Sequence, residues 1–346
     1  MATCTAQKTG NWSDPTVWDT VPSSGDTVET GAYTVTIDVD VNIGSGTLRN
    51  TGGGYYAVTA AGIDIVANVT ATASSAVSCL LILHSTGTVT LQGNVVGGGV
   101  ANAHAVYKTG AGTFTLTGNV TGGSATGTSG LYNYAGIANV IGAVTGGSNL
   151  GYGIIAGAGG ATVNVTGNVT GGTTSETHGL YGGGATITVI GDCNASSSSH
   201  GLLQNFGTVT VTITGNANGS SSTYSGVYNN TASTITISGT ATGGSGSGAA
   251  AHNQTTGTLT VTTAVAGSGG PGLHGEVSGG VTRCKVATDH ATGRQAMSGF
   301  VKLTDDATNK HTVYRATAGS TDLVPGGGGG GSVIGSGVIV ASGGDL

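Results

Sequence analysis

Charge is what this chain has least of. Lysine and arginine together number 9 and aspartate and glutamate 15 in 346 residues, 7% of the total, where ordinary globular domains carry ~25%. From Val41 to Gly275 the only charged side chains are Arg49, Asp64, Lys108, Glu176 and Asp192. A net charge of -6 and a pI near 5.6 offer no basic surface, so no nucleic-acid partner is expected.

The scarcity of carboxylates weighs against polysaccharide cleavage, which needs two of them across one bond. Asp64, Glu176, Asp192 and Glu276 fall in different repeats and columns. Asp38 and Asp40 share a face near the amino end and read as solvated. No catalytic, cofactor-binding or metal-binding residue is therefore expected within one chain, and no cofactor.

Other absences are as informative. No apolar run approaches the ~18 residues of a membrane span, so no membrane partner is expected. Met1-Ala2-Thr3-Cys4 lacks the basic and apolar regions of a secretory signal, which leads to the expectation of assembly in a cytoplasm. Cys4, Cys79, Cys193 and Cys284 form no CxxC pair. Cys193 sits in an apolar column and reads as a small packed hydrophobe.

What the chain has in abundance is glycine, 69 residues, about three times the usual share. An anchor glycine followed by Asn-Val-Thr-Gly-Gly or a variant recurs at Gly93, Gly118, Gly142, Gly167, Gly191, Gly215 and Gly239, at intervals of 24 or 25. Ala67 and Thr263 occupy the same slot at either side. A sustained period of that length predicts a solenoid.

Within each unit, β-branched residues alternate with threonine over stretches too short for a helix. Pairs such as Phe114 and Leu116, or Ile187 and Val189, are expected to point inward, and Thr115 or Thr188 between them outward. A second inward column runs through Val69, Val95, Val120, Val144, Val169, Cys193, Ala217, Ala241 and Val265. A third lies near Val106, Leu131, Ile154, Leu180, Leu202, Val227 and Leu273. The expected fold is all-β: a right-handed parallel β-helix with three strands and about 24 residues per coil, at least nine coils, and terminal caps.

The expected domains are an N-terminal cap at 1–33, containing both tryptophans, the β-helix at 34–287, a charged C-terminal β cap or attachment module at 288–325, and a glycine-rich linker with a terminal strand at 326–346. In that last segment Val333, Ile334, Val338, Ile339 and Val340 read as a strand that attaches to a partner.

The outward slot before each anchor is a wall of threonines in which Val66, Ile141 and Ile190 are large and apolar. Such residues predict a subunit contact, and a homotrimer of parallel rods is the closed arrangement expected. His104, His178 and His200 share one slot, and without a third ligand the last two are expected to stack rather than to bind metal. Tyr107, Tyr132, Tyr181 and Tyr228 share another, as a stacked rib or as a surface for sugar rings. Asn68, Asn94, Asn119, Asn168 and Asn216 are expected to form a hydrogen-bonded ladder.

Gly10-Asn11-Trp12-Ser13-Asp14-Pro15-Thr16-Val17-Trp18, with Pro22, Gly25-Asp26-Thr27-Val28 and Val35-Thr36-Ile37-Asp38, resembles the start of β-solenoid proteins of bacterial surfaces and tailed bacteriophage particles. The resemblance covers about 40 residues. It implies a non-enzymatic structural virion protein, with a trimeric capsid decoration (cement) protein first among the choices. Its partners would be itself and the major capsid protein or another virion protein. A tail fibre that binds receptors, or a polysaccharide-degrading tailspike, are the alternatives it leaves open.

Overall fold

A computed structural model describes residues 2–265 apart from 73–77, 158–159, 175–176, 197, 205–206, 221–222 and 247, and beyond them residue 267 and six short strands. Strands dominate, with one 3-10 turn at Pro15–Val17 and no α-helix among the described residues. A middle coil shows the plan: a five-residue strand Thr113–Thr117, a two-residue strand Val120–Thr121 after the glycine corner, and a three-residue strand Leu131–Asn133. Each pairs in parallel with its counterpart one turn later, Ile137–Ile141, Val144–Thr145 and Ile154–Ala156.

The third strands make a twelve-stranded parallel sheet, from Gly10–Asn11 to Leu273–Gly275, that gains one strand per turn. The first and second strands make the other large sheet. Side chains alternate across each strand, so one parity lines the interior. Phe114, Leu116, Val163, Val165, Ile187 and Val189 are buried, as are Val95, Val120, Val144 and Cys193 at the second position and Val106, Leu131, Ile154 and Leu180 at the third. The alternation read from sequence is thus what builds the core.

The anchor glycines have a steric reason. Gly142 has φ +151°, and a Cβ placed there would lie 2.1 Å from the carbonyl oxygen of Gly118 one turn below. Gly118 stands in the same relation to Gly93, at φ +148° and 2.1 Å. Only a residue without a side chain adopts that backbone and admits the neighbouring coil so closely.

Three expectations need correction. Parallel pairing begins at Thr3–Thr5, which pairs with Thr27–Glu29 and through it with Val41–Asn50. Residues 2–33 are therefore part of the stack as well as its cover. The first turn, Thr3 to Thr27, has the usual 24 residues but lacks the anchor motif, and the next, Thr27 to Thr47, shortens to 20, which breaks the repeat.

The cover itself is a loop. Val17 and Trp18 bury against the core, Trp18 bridges antiparallel to Ala6, and Thr5 O accepts the Asp19 N–H at 3.0 Å. The outer edge of the first strand thereby finds partners, which blocks pairing with another chain.

Second, Val265 is not in the inner column. A register shift between Ile237 and Thr240 pairs Ala241 with Ala264, which is buried, and leaves Val265 exposed. Third, the terminal segment does not offer one free strand: Gly331–Ile334 pairs antiparallel with Val338–Ala341, Val333 opposite Ile339. Val333, Ile334, Val338, Ile339 and Val340 thus belong to a hairpin.

At the carboxyl end of the stack, parallel pairing stops at Val281–Cys284. Its far edge is taken antiparallel by His311–Arg315, which pairs in turn with Phe300–Lys302. Most of 285–330 lies outside the described residues, as do Glu176 and Glu276.

Candidate functional site

The outer wall formed by the first strands is continuous in register from Thr88–Gln92 to Thr210–Ile213 and beyond. Threonine suits an exposed parallel strand, because its branched carbon packs on its neighbours while its hydroxyl meets water. Against that background Ile141 and Ile190 are 52% and 54% exposed. They stand two coils apart in one column, with Thr166 between them. Val66 is half-buried and belongs to the same column, but Gln92 and Thr117 separate it from Ile141. The structure therefore joins two of the three residues singled out in sequence.

It also adds Ile137, 38% exposed, which leaves the same strand on the same side as Ile141. Parity along Ile137–Ile141 carries that information, since residues four apart in a strand share a face. Tyr134, just before this strand, is exposed as well.

At the glycine corner, asparagine side chains bond mainly to the next turn's backbone, and Asn94 Nδ2 also donates to Asn68 Oδ1 at 3.4 Å. Asn68 Oδ1 accepts the Asn94 N–H at 3.0 Å, Asn94 Oδ1 that of Asn119 at 2.9 Å, and Asn119 Oδ1 that of Ala143 at 2.9 Å. Asp192 takes the same place, accepting from Asn216 N–H at 2.8 Å. Asp64, Asp40 and Asp38 are similarly employed. Asp64 accepts from the Thr90 hydroxyl, Asp40 from the Asp64 N–H at 2.9 Å, and Asp38 from Ser13 N–H at 3.0 Å. These acids join coil to coil, and among the described residues no two of them are seen to pair across a cleft.

A rib of aromatic rings follows the third strands. His178 and His200 stack at 5.4 Å, Tyr152 and Tyr181 at 4.9 Å, and His200 and Tyr228 at 4.7 Å, while Tyr107 and Tyr132 lie at 5.1 Å. His104 meets Tyr132 edge-on at 5.0 Å. Ring faces are turned to one another with interplanar angles of 17° to 27° in the stacked set.

Each histidine also closes a backbone bond. Ser129 N–H donates to His104 Nδ1 at 3.2 Å, His200 N–H to His178 Nδ1 at 3.2 Å, and Ser225 N–H to His200 Nδ1 at 2.8 Å. A nitrogen that accepts cannot carry a proton, so these rings are neutral with hydrogen on Nε2. Burial holds His104 and His178 down to about 4, and burial together with the neighbouring His178 holds His200 to about 3.

Cys4, Cys79 and Cys193 are buried free thiols. Cys193 Sγ lies 3.0 Å from Gly201 O, and burial pushes the Cys79 and Cys193 thiols far above their ordinary range. Among the described residues no three histidine, cysteine or acidic side chains gather as a metal site, and no helix is long and apolar enough to cross a membrane. No known family profile, curated protein or solved structure matches this chain.

Proposed function

We propose that this chain is a non-enzymatic structural virion protein, a trimeric decoration (cement) protein that lies on a bacteriophage head and bridges neighbouring capsid subunits. The observation that carries the reading is the strip of Ile137, Ile141 and Ile190 on an otherwise hydroxyl-covered wall. Large apolar side chains placed so regularly favour a partner over water.

The wall is also the right size for a second copy. Eight first strands at ~4.8 Å spacing, typically five residues or ~17 Å long, present about 650 Å². A standard interface buries about 800 Å² per partner. Carboxylates committed to coil-to-coil bonds support a structural role over a cleaving one. Particle assembly in a host cytoplasm, with other virion proteins as partners, is part of the same proposal.

The test has two arms. Light scattering of the purified chain should give three times its monomer mass, and Ile141→Asp with Ile190→Asp should return it to the monomer with its circular dichroism unchanged. Added to particles stripped of it, the wild type should restore resistance to heat. A monomeric wild type removes the trimer, and an antibody that lands on the tail rather than the head favours a receptor-binding fibre.

A further inference from the structure

A ring of three identical rods does not close by pressing one flat wall against itself. A wall turned to the threefold axis meets its copies only along its edges, so flat contact in such a ring joins two different faces of the chain. The first-strand wall, with Ile141 and Ile190 exposed, is one of them.

The third strands carry a second apolar face. The middle residue of each is half-buried between two buried neighbours, and so points outward. From Leu81 the column continues through Tyr107, Tyr132, Ile155 and Tyr181, register partners on five successive coils. No threonine or serine interrupts it, in contrast to the wall. Tyr107 lies against Tyr132 and Tyr152 against Tyr181, with centroids 5.1 and 4.9 Å apart. Rings already held by their neighbours lose little freedom when a partner covers them. Tyr134, 47% exposed, follows at the turn into Ile137–Ile141, so apolar surface continues from this face to the wall.

The heights of the two faces agree. Copies in a closed ring of parallel rods are related by rotation alone, so residues that meet lie at one level. Leu131–Asn133 leads into Ile137–Ile141, and Leu180–Gly182 into Thr186–Ile190. Tyr132 is therefore on the same coil as Ile141, and Tyr181 on the same coil as Ile190. The two isoleucines stand two coils apart with Thr166 between them, and the two tyrosines two coils apart with Ile155 between them. Neither column carries a charge to be stripped of water. Eight third strands at the level of the wall, at ~4.8 Å spacing and ~10 Å long, present about 400 Å². A chain covered on both faces buries about 800 Å² in all, the amount a standard interface takes from each partner.

We propose that the tyrosine rib is the surface on which the isoleucine wall of a second copy docks, an assignment that rests on the trimer reading. Ile141 of one copy packs at the level of Tyr132 and Tyr134 of the next, and Ile190 at the level of Tyr181.

Two single variants, Ile190→Cys and Tyr181→Cys, test this when co-expressed with tags of different length and treated with a short bismaleimide. Linked pairs should contain one chain of each kind, and either variant alone should stay as single chains on a denaturing gel. Wild type, whose Cys4, Cys79 and Cys193 are buried, is the blank. Linkage of Ile190→Cys to itself, with the trimer mass retained, turns that wall to the axis and overturns the proposal while keeping the trimer. The Tyr181→Cys thiol should also react with a maleimide more slowly in the trimer than in a chain that carries Ile141→Asp and Ile190→Asp as well. Equal rates in a wild-type-like trimer leave the rib open to another occupant, such as a glycan, and overturn the proposal. A monomer by light scattering removes the trimer reading and this docking surface together.

Discussion

Acid should weaken this rod through its buried histidines before any carboxylate matters. In the unfolded chain each imidazole takes a proton near 6.5, while in the folded rod His104 and His178 resist until about 4 and His200 until about 3. Between those limits the unfolded state binds more protons, so stability falls as pH falls from about 6.5 to 4.

From pH 7 to pH 5 each ring costs about 2 kcal/mol, and three cost about 5–6 kcal/mol if they act independently. For a rod of this size that corresponds to a drop of about 7–10 °C in the unfolding midpoint. The structural reason is specific: protonation of Nδ1 removes the acceptor of the Ser129, His200 and Ser225 N–H bonds and sets two cations 5.4 Å apart at His178 and His200.

The assay is thermal unfolding followed by far-ultraviolet circular dichroism at both pH values. It compares the wild type with a variant carrying His104→Gln, His178→Gln and His200→Gln. The variant should lose little between pH 7 and pH 5. Equal losses in the two proteins would refute the reasoning.

Three further outcomes follow from the same structure. Phe114→Ala, which empties a fully buried position, should cost about 3–5 kcal/mol, read as faster hydrogen exchange in the coils on either side. Gly142→Ala should cost at least the ~1–3 kcal/mol of backbone strain, because its methyl meets the Gly118 carbonyl at 2.1 Å; an unchanged midpoint would contradict the close coil approach. Asp26 is held near 2 by the Ser23 hydroxyl, the Ala2 N–H and the Ser23 N–H. Its contribution is complete above about 4 and lost as pH falls through 2, so amide exchange at residues 2–6 should rise in that window and Asp26→Ala should abolish the rise.

How much of this was legible in the sequence depended on how regular the residues were. Gly93 to Gly239 repeat so evenly that stacking, strand parity and the buried columns could be read without a structure. Cys4, Val28 and Leu48 line the same column, but these coils lack the anchor and the turn from Val28 to Leu48 is only 20 residues, so the sequence pattern sets 1–33 apart. Val265 was misplaced by one residue because the bulge after Ile237 breaks the count.

In the outer wall, Ile141 and Ile190 announced themselves by contrast with threonine, whereas Ile137 required following the strand back four residues. The setting of Lys108 was the least visible. Lys108 stood out only as a rare charge, and its bonds to the carbonyls of Gly110 and Ala135 depend on how its side chain bends within the interior, which no spacing encodes.

The unbroken registration of the anchor glycines has a consequence for how this molecule could change size. Adding or removing one whole 24-residue motif would lengthen or shorten the shaft by a single step and leave every remaining side chain facing as before. One stray residue inside a strand would instead turn its successors inside out. Copy number can therefore act as a ruler, matching the shaft to whatever gap it must cross, while both tips stay the same.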